Sequence, residues 1–416
     1  MKRFFAFMLC ALLLFAMMGG STAMGETIYF GNSDGEAWYE EMLQRGILNL
    51  GNNTRLKNVI SRALSGETIT VALIGGSITE GAGASKYADC YASRVAQGFA
   101  RCYGAGDGKN VHFLNAGVGG TPSTFGLMRY DRDVTKRVQD DDGLADLVIV
   151  EFAVNDYGEP TRHRAYESLV KTILSQENNP AVILLFSVFE NGFNLQGELR
   201  AIGQVYDLMM VSIKDAAYPN VDKKWTKKEF FHDEYHPTSL GHGVMADCVL
   251  YAIGQAYRAE ESKGDVNLDA EPAYGVDYMG LQTIYGDSDL SSLSFDRGSF
   301  SKDDTQSYTN YPVGRVCGKN FFHDGTAGND PLAFQASFKK LLIAWRAVSD
   351  QRYGAAEVLV DGKLKAVLKG GEGKWGQSEV AMLWDAKEPR EHTVEIRMQE
   401  GSENLRFTIT AIGIAE

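Results

Sequence analysis

Cysteine is scarce, with 5 in 416 residues. That excludes a small scaffold held together by a disulfide framework. Proline is scarce too, with 9, and beside 44% hydrophobic and 23% charged residues this excludes a largely disordered chain. Basic residues fall short of acidic ones, 41 against 54, for a net charge of −13. Such a chain lacks the electrostatic footprint of a nucleic-acid binder or of a protein held on anionic lipid. No apolar run reaches the ~20 residues needed to span a bilayer. No internal repeat or low-complexity segment is present. The length exceeds the roughly 100–200 residues of one average domain, so two domains are expected.

The chain starts with Lys2 and Arg3, an apolar run from Phe4 to Met18, and the small residues Gly19 to Ala23. This is the pattern of a secretory signal peptide over residues 1–23, cut after Ala23. The competing reading, an N-terminal membrane anchor, needs a longer run than this. Cys10 lies inside the run, not at its end, which disfavours an acylated lipoprotein cysteine. Cleavage would leave 39 basic against 54 acidic residues, a net charge of −15. Cys90 and Cys102 fall on one expected helix, too far apart to pair. A Cys248–Cys317 bridge stays open beside the plainer reading of buried thiols.

After two short helices near Ala37–Leu43 and Leu56–Leu64, an alternation begins. Apolar β runs at Thr68–Ile74, Val111–Ala116, Leu147–Val154, Val182–Phe189 and Met209–Ile213 are separated by helical patterns. The helices are expected at Tyr87–Tyr103, Phe125–Val138, Arg162–Ser175 and Leu199–Tyr206. A closing helix follows at Ser239–Tyr257. Continuous apolar strands alternating with helices predict an α/β domain, a parallel sheet covered on both faces in three layers. Residues 24–262 form this domain. Glu260 to Pro272 reads as a linker. Beyond it come β runs and the turn signal Asp361-Gly362, so 263–416 is expected to be an all-β sandwich.

In such parallel sheets ligands sit at the carboxyl ends of the strands. The first end reads G-G-S-I-T-E-G, residues 75–81. Ser77 there is either a nucleophile beside exposed N–H groups or a cap in a glycine turn. A phosphate loop needs Lys and Ser or Thr after its last glycine, and Gly81 is followed by Ala82-Gly83. The dinucleotide spacing fails at Lys86, and a G-x-S-x-G elbow fails at Thr79. The second end reads N-A-G-V-G-G-T-P-S, residues 115–123, whose glycine N–H groups can approach a substrate. The third reads E-F-A-V-N-D-Y-G, residues 151–158. Asn155 is either an amide donor to developing negative charge or part of a capping turn.

A late segment, F-H-D-E-Y-H-P-T-S-L-G-H, spans residues 231–242. Asp233 and His236 are three apart, so the carboxylate can fold back onto the imidazole and fix its tautomer. His232 and His236 are spaced like the ligands of a zinc helix, but Asp233 replaces the needed Glu and Pro237 would break the helix. His112, His163, His232 and His242 read as surface or capping residues.

Ser, Gly and Asn on three successive strand ends, with a D-x-x-H before the closing helix, resemble the SGNH (GDSL-type) hydrolase family over about residues 68–258. The resemblance implies that Ser77 is the nucleophile, His236 its general base and Asp233 the residue that orients His236. It implies an oxyanion hole made by the N–H groups of Ser77 and Gly120 and the amide of Asn155, with Gly119 as the fallback for Gly120. It implies no cofactor and no metal. One departure is plain: the family's block has Asp before the nucleophile, and this chain has Gly76.

A signal peptide and a β-sandwich appendage resemble secreted bacterial carbohydrate esterases. The expected function is an extracellular serine esterase that removes O-acetyl groups from a polysaccharide. The expected partner is thus an acetylated carbohydrate, with no nucleic acid and no membrane after cleavage. Alternatives are a lipolytic esterase and, from another class, a secreted glycan-binding protein on a hydrolase scaffold. Trp345, Trp375 and Trp384 are either sandwich core or sugar-stacking residues, with Trp375 in the most loop-like setting.

Overall fold

The computed structural model describes residues 29–31, 36–138, 143–291, 293–306, 319–326, 328–373 and 377–416. The leader 1–23, Cys10, Cys317 and Trp375 lie outside the described residues. So does any Cys248–Cys317 bridge, since it needs Cys317, while Cys90 and Cys248 are buried.

The chain opens with α1 (Ala37–Arg45), β1 (Ile47–Asn49) and α2 (Thr54–Ser65). The alternation follows: β2 (Ile69–Gly75), α3 (Ser77–Glu80), α4 (Tyr91–Tyr103), β3 (Val111–Gly117), α5 (Ser123–Asp133), β4 (Leu147–Glu151), α6 (Arg164–Leu174), β5 (Ala181–Phe186), α7 (Gln196–Val205), β6 (Met209–Ser212), α8 (Ile213–Ala216), α9 (Lys227–Phe230) and α10 (Ser239–Arg258). The sheet order is β1-β6-β5-β4-β2-β3. Strands β2 to β6 pair in parallel, and β1 adds an antiparallel edge.

Each strand serves two cores because its side chains alternate. Leu73, Ile149, Ile183 and Val211 face the layer of α1, α2, α4 and α10. Ile74, Val150, Leu184 and Met210 face the layer of α5, α6 and α7. This is why the strands read as unbroken apolar runs. Two runs overshoot their strands: β4 stops at Glu151 and β5 at Phe186. Phe152, Ala153, Val154 and Val188 are buried too, but in the loops over the sheet edge. The expected helix 87–103 breaks at Cys90, which caps α4 after a short 3-10 turn at Tyr87–Asp89. His242 is a correction. It is fully buried, its Nδ1 accepts from Tyr91 N at 3.2 Å, and its Nε2 donates to Ala82 O at 3.0 Å. Burial holds its pKa down at about 4, so a neutral ring ties α4 to the loop after α3.

The second sheet contains β7 (Gln282–Ile284), β8 (Ser294–Asp296), β9 (Phe321–His323), β10 (Leu332–Ala347), β11 (Ala355–Val360), β12 (Lys363–Lys369), β13 (Gln377–Met398) and β14 (Phe407–Ala415). All its pairings are antiparallel. The long strands β10 and β13 make it a sandwich. Leu332–Phe338 pairs with Arg390–Ile396, then the register jumps and Lys340–Ala347 pairs with Gln377–Asp385. Such a bulge bends a strand, so one hydrogen-bonded sheet folds over its own core of Phe334, Phe338, Ile343, Val394, Ile396 and Phe407. Trp345 and Trp384 are partly buried against that core.

The sandwich is docked on the first sheet's helices. Leu342, Ala344 and Ala411 point away from the sandwich core and join the core around α5 and α6, with Tyr278 and Tyr285. The intervening segment is pinned, not free. Arg55 pairs with Asp265 at 2.7 Å. The buried carboxylate of Glu167 on α6 accepts from the N–H groups of Ala273, Tyr274 and Gly275 at 2.8, 2.6 and 2.9 Å. Arg164 bridges to Asp277 at 3.0 Å and to Asp385 of β13 at 2.7 Å.

Candidate active site

β2 ends at Gly75, and the chain turns at Gly76 into α3, a single helical turn whose first residue is Ser77. The side chain of Ser77 therefore stands at the carboxyl edge of the sheet, on a helix start with free N–H groups. The loop carrying Asp233 and His236 reaches the same point from the far end of the chain. A bridge between Phe231 and Pro237 closes that loop, and His232 N donates to His236 O at 2.8 Å. Thr238 then caps α10, accepting from Gly241 N.

The structure brings Ser77, His236 and Asp233 into one hydrogen-bonded line. His236 Nε2 lies 2.9 Å from Ser77 Oγ. His236 Nδ1 lies 2.9 Å from each carboxylate oxygen of Asp233. Asp233 Oδ1 also accepts from Tyr235 N at 2.8 Å and His236 N at 2.9 Å, so the loop backbone fixes the carboxylate. Partial burial works to raise the Asp233 pKa. The hydrogen bonds from the His236 ring and from these N–H groups outweigh it and hold the carboxyl below its ordinary value. Asp233 is thus an anion facing Nδ1–H, which leaves Nε2 as the acceptor toward Ser77. Both ring nitrogens are engaged, and His232 and His236 sit on a bridged loop and not on one helix face. That is not the geometry of a zinc helix.

The loop after β3 lies against Ser77. A Cβ on Gly119 would stand 3.6 Å from Ser77 Cβ. Gly119 N–H is already spent: it donates to Glu80 Oε2 at 2.8 Å, and Glu80 is 1% exposed. Gly120 follows at φ +67°, a left-handed conformation that suits glycine. Among the described residues, the N–H groups of Ser77 and Gly120 and the amide of Asn155 have no protein hydrogen-bond partner. The expected donors are therefore the ones left unspent, and Gly119, the fallback, is not among them. Asn155 sits directly over Gly76, in the space that a side chain at 76 would fill.

Beneath this edge lies a buried polar layer that no motif announced. Glu151 accepts from Thr79 Oγ1 at 3.0 Å and from Ser187 Oγ, and Thr79 meets Tyr91 Oη at 2.7 Å. Asp156 accepts from Ser123 N, at the start of α5, at 2.7 Å. Burial pushes Glu151 up to about 7 and Asp156 to about 8. Arg129, wholly buried, donates to Gly75 O at 3.1 Å and bridges to Asp133 at 3.2 Å. Glu80 is the residue of this layer that reaches the donor loop. No sequence signal separates it from an ordinary helical acid.

Residues 73–244 match the GDSL-like Lipase/Acylhydrolase family. No curated protein matches in sequence. Two solved structures share both domains. One is a two-domain esterase (CEX) active on acetylated mannans, 26% identical, with a TM-score of 0.74 over 90% of this chain and 99% of that one. The other is the same kind of esterase co-crystallised with mannopentaose, 25% identical, with a TM-score of 0.73 over 90% of this chain and 98% of that one. The α/β part of this chain thus carries a GDSL-like lipase/acylhydrolase domain over residues 73–244, with an all-β domain docked behind it.

Proposed function

We propose that the chain is a secreted serine esterase that removes O-acetyl groups from a mannan-type polysaccharide. The observation that carries this is the Ser77–His236–Asp233 line, with three unspent donors beside the hydroxyl. His236 Nε2 takes the proton as Ser77 Oγ adds to the acetyl carbonyl. Negative charge grows on the carbonyl oxygen and is met by the N–H groups of Ser77 and Gly120 and by Asn155 Nδ2. As the bond from the acetyl carbon to the sugar oxygen breaks, the imidazolium, steadied by Asp233, gives its proton to that oxygen and frees the sugar hydroxyl. Water then repeats the cycle on the acetyl-Ser77 intermediate and releases acetate. No cofactor enters this scheme.

The polysaccharide assignment leans on the two acetylated-mannan esterases, whose likeness extends over both domains. Secretion leans on the basic start and apolar run of residues 1–23, and the acidic mature surface suits a neutral glycan. In this reading residues 24–262 carry the chemistry and residues 263–416 form the accessory domain. The test is acetate release from acetylated mannan, xylan, pectin and peptidoglycan, alongside p-nitrophenyl acetate. Mannan should be preferred, and Ser77→Ala should abolish every activity while leaving the thermal transition in place. Full turnover by Ser77→Ala would remove the serine mechanism.

A further inference from the structure

The described residues leave four large apolar side chains exposed, and two of them flank the site. Tyr157 is 80% exposed and Tyr235 37%. Tyr157 lies two residues after Asn155, and Tyr235 immediately precedes His236. Two further rings join them. Tyr157 meets Phe193 edge-on at 5.9 Å, Phe193 lies nearly parallel to Phe189 at 6.0 Å, and Phe189 meets Tyr235 edge-on at 5.1 Å. Tyr235 in turn lies 6.2 Å from the His236 ring. The result is an unbroken aromatic row from the catalytic imidazole to the loop that carries Asn155.

The row is held by backbone, so its order is fixed before any ligand arrives. Phe189 N donates to Phe193 O at 3.1 Å, Glu190 N to Glu234 O at 3.1 Å, and Leu195 N to Ala153 O at 2.8 Å. These bonds tie the loops after β4 and β5 to the loop of Asp233 and His236. An exposed aromatic row beside a site is an apolar surface awaiting an apolar face. Tyr157 and Tyr235 are exposed while Phe189 and Phe193 are half-buried between them, so the row presents its two ends to solvent. Glu190 and Glu234 border the row, which disfavours an anionic ligand and offers acceptors to hydroxyl groups. A neutral pyranose meets both conditions, with axial C–H groups for the rings and hydroxyls for the rim.

We propose that Tyr157, Phe193, Phe189 and Tyr235 form a stacking platform for the pyranose units next to the acetylated one. The platform makes the enzyme act within a glycan chain in preference to isolated sugars. This inference rests on the glycan reading above. Its test is kcat/KM for acetylated mannose and for acetylated manno-oligosaccharides of two to five units, each divided by kcat/KM for p-nitrophenyl acetate.

In the unaltered enzyme this ratio should climb about tenfold with chain length, as expected for one to two aromatic contacts. In Tyr157→Ala the climb should shrink severalfold through KM, and Tyr157→Trp should restore it. A climb untouched in both Tyr157→Ala and Tyr235→Ala would overturn the platform. A wild-type ratio that is flat with length would also overturn it, yet would leave the glycan reading standing if the acetylated sugars are turned over. Turnover of p-nitrophenyl acetate with no release from any acetylated sugar would sink the glycan reading itself.

Discussion

A Cβ built on Gly76 would lie 2.2 Å from Oδ1 of Asn155 and 2.8 Å from its Nδ2. The residue before Ser77 and the amide expected to stabilise the oxyanion thus compete for one volume. That relationship gives a physical reason for the glycine where the family block carries Asp. With Gly76, the amide of Asn155 packs directly on the backbone that carries Ser77.

Gly76→Ala should therefore act like the loss of Asn155. Its φ of −88° tolerates alanine, so the cost falls on the amide and not on the backbone. Loss of one oxyanion donor lowers kcat by roughly 100- to 1,000-fold, and both Gly76→Ala and Asn155→Ala should fall in that range. The double variant should lose little more than either single one, because both remove the same donor. Additive losses in steady-state kinetics would show that Gly76 acts through something else.

Glu80 should control the glycine loop without touching substrate. Its carboxylate holds Gly119 N–H at 2.8 Å and so sets where the neighbouring Gly120 N–H points. Glu80→Ala should lower kcat about 10- to 100-fold with KM nearly unchanged, since the donor matters most at the transition state. Glu80→Gln keeps an acceptor and should recover most of the loss. Equal damage from alanine and glutamine, or a change confined to KM, would contradict this role.

Much of this site was legible because its parts stand on features that leave a pattern. Ser77, Gly120 and Asn155 follow apolar runs, and those runs are apolar because each strand faces two cores. Asp233 and His236 are close in sequence, so their contact is local. Glu80 and Glu151 left no such trace. Their partners are 39 and 36 residues away, at Gly119 and Ser187, and nothing in a single sequence pairs them. The burial of His242 leaves no local pattern for a related reason: its partners Tyr91 and Ala82 lie about 150 residues upstream. The sandwich was readable as β, but its closure depends on the register jump after Phe338. Alternation alone does not encode that jump. The edge strand β1 is three residues long, too short for any period.

The buried carboxyl of Glu151 should leave a mark on stability against pH. Burial raises it from 4.5 to about 7, so between those values the folded protein holds a proton that the unfolded chain has released. Its contribution is fully present below pH 4.5 and is lost as pH rises through 7, by roughly 3 kcal/mol. Glu151→Gln mimics the protonated form and removes this dependence. The Tm of the variant minus that of wild type should therefore rise between pH 5 and pH 8. A difference that stays constant or falls across that range in differential scanning calorimetry would show that Glu151 is already ionised at pH 5.

Glu167 should decide whether the two domains stay docked. One buried carboxylate on α6 takes three consecutive N–H groups, from Ala273 to Gly275, and the Tyr206 hydroxyl at 3.2 Å. That segment leads into Tyr278, which is fully buried with Leu342 and Ala344 against the α5–α6 face. Glu167→Ala leaves those N–H groups without their acceptor, at a cost of about 3 kcal/mol. Glu167→Gln, which keeps one acceptor oxygen, should cost less. The alanine variant should melt several degrees lower and should be cut by protease between residues 259 and 281, where the unaltered protein resists. Cutting the chain at residue 262 removes the cover from the same apolar face, so that fragment should aggregate more readily than the full chain. A Tm and a proteolysis pattern unchanged in Glu167→Ala would mean that the sandwich is held by its apolar contacts alone.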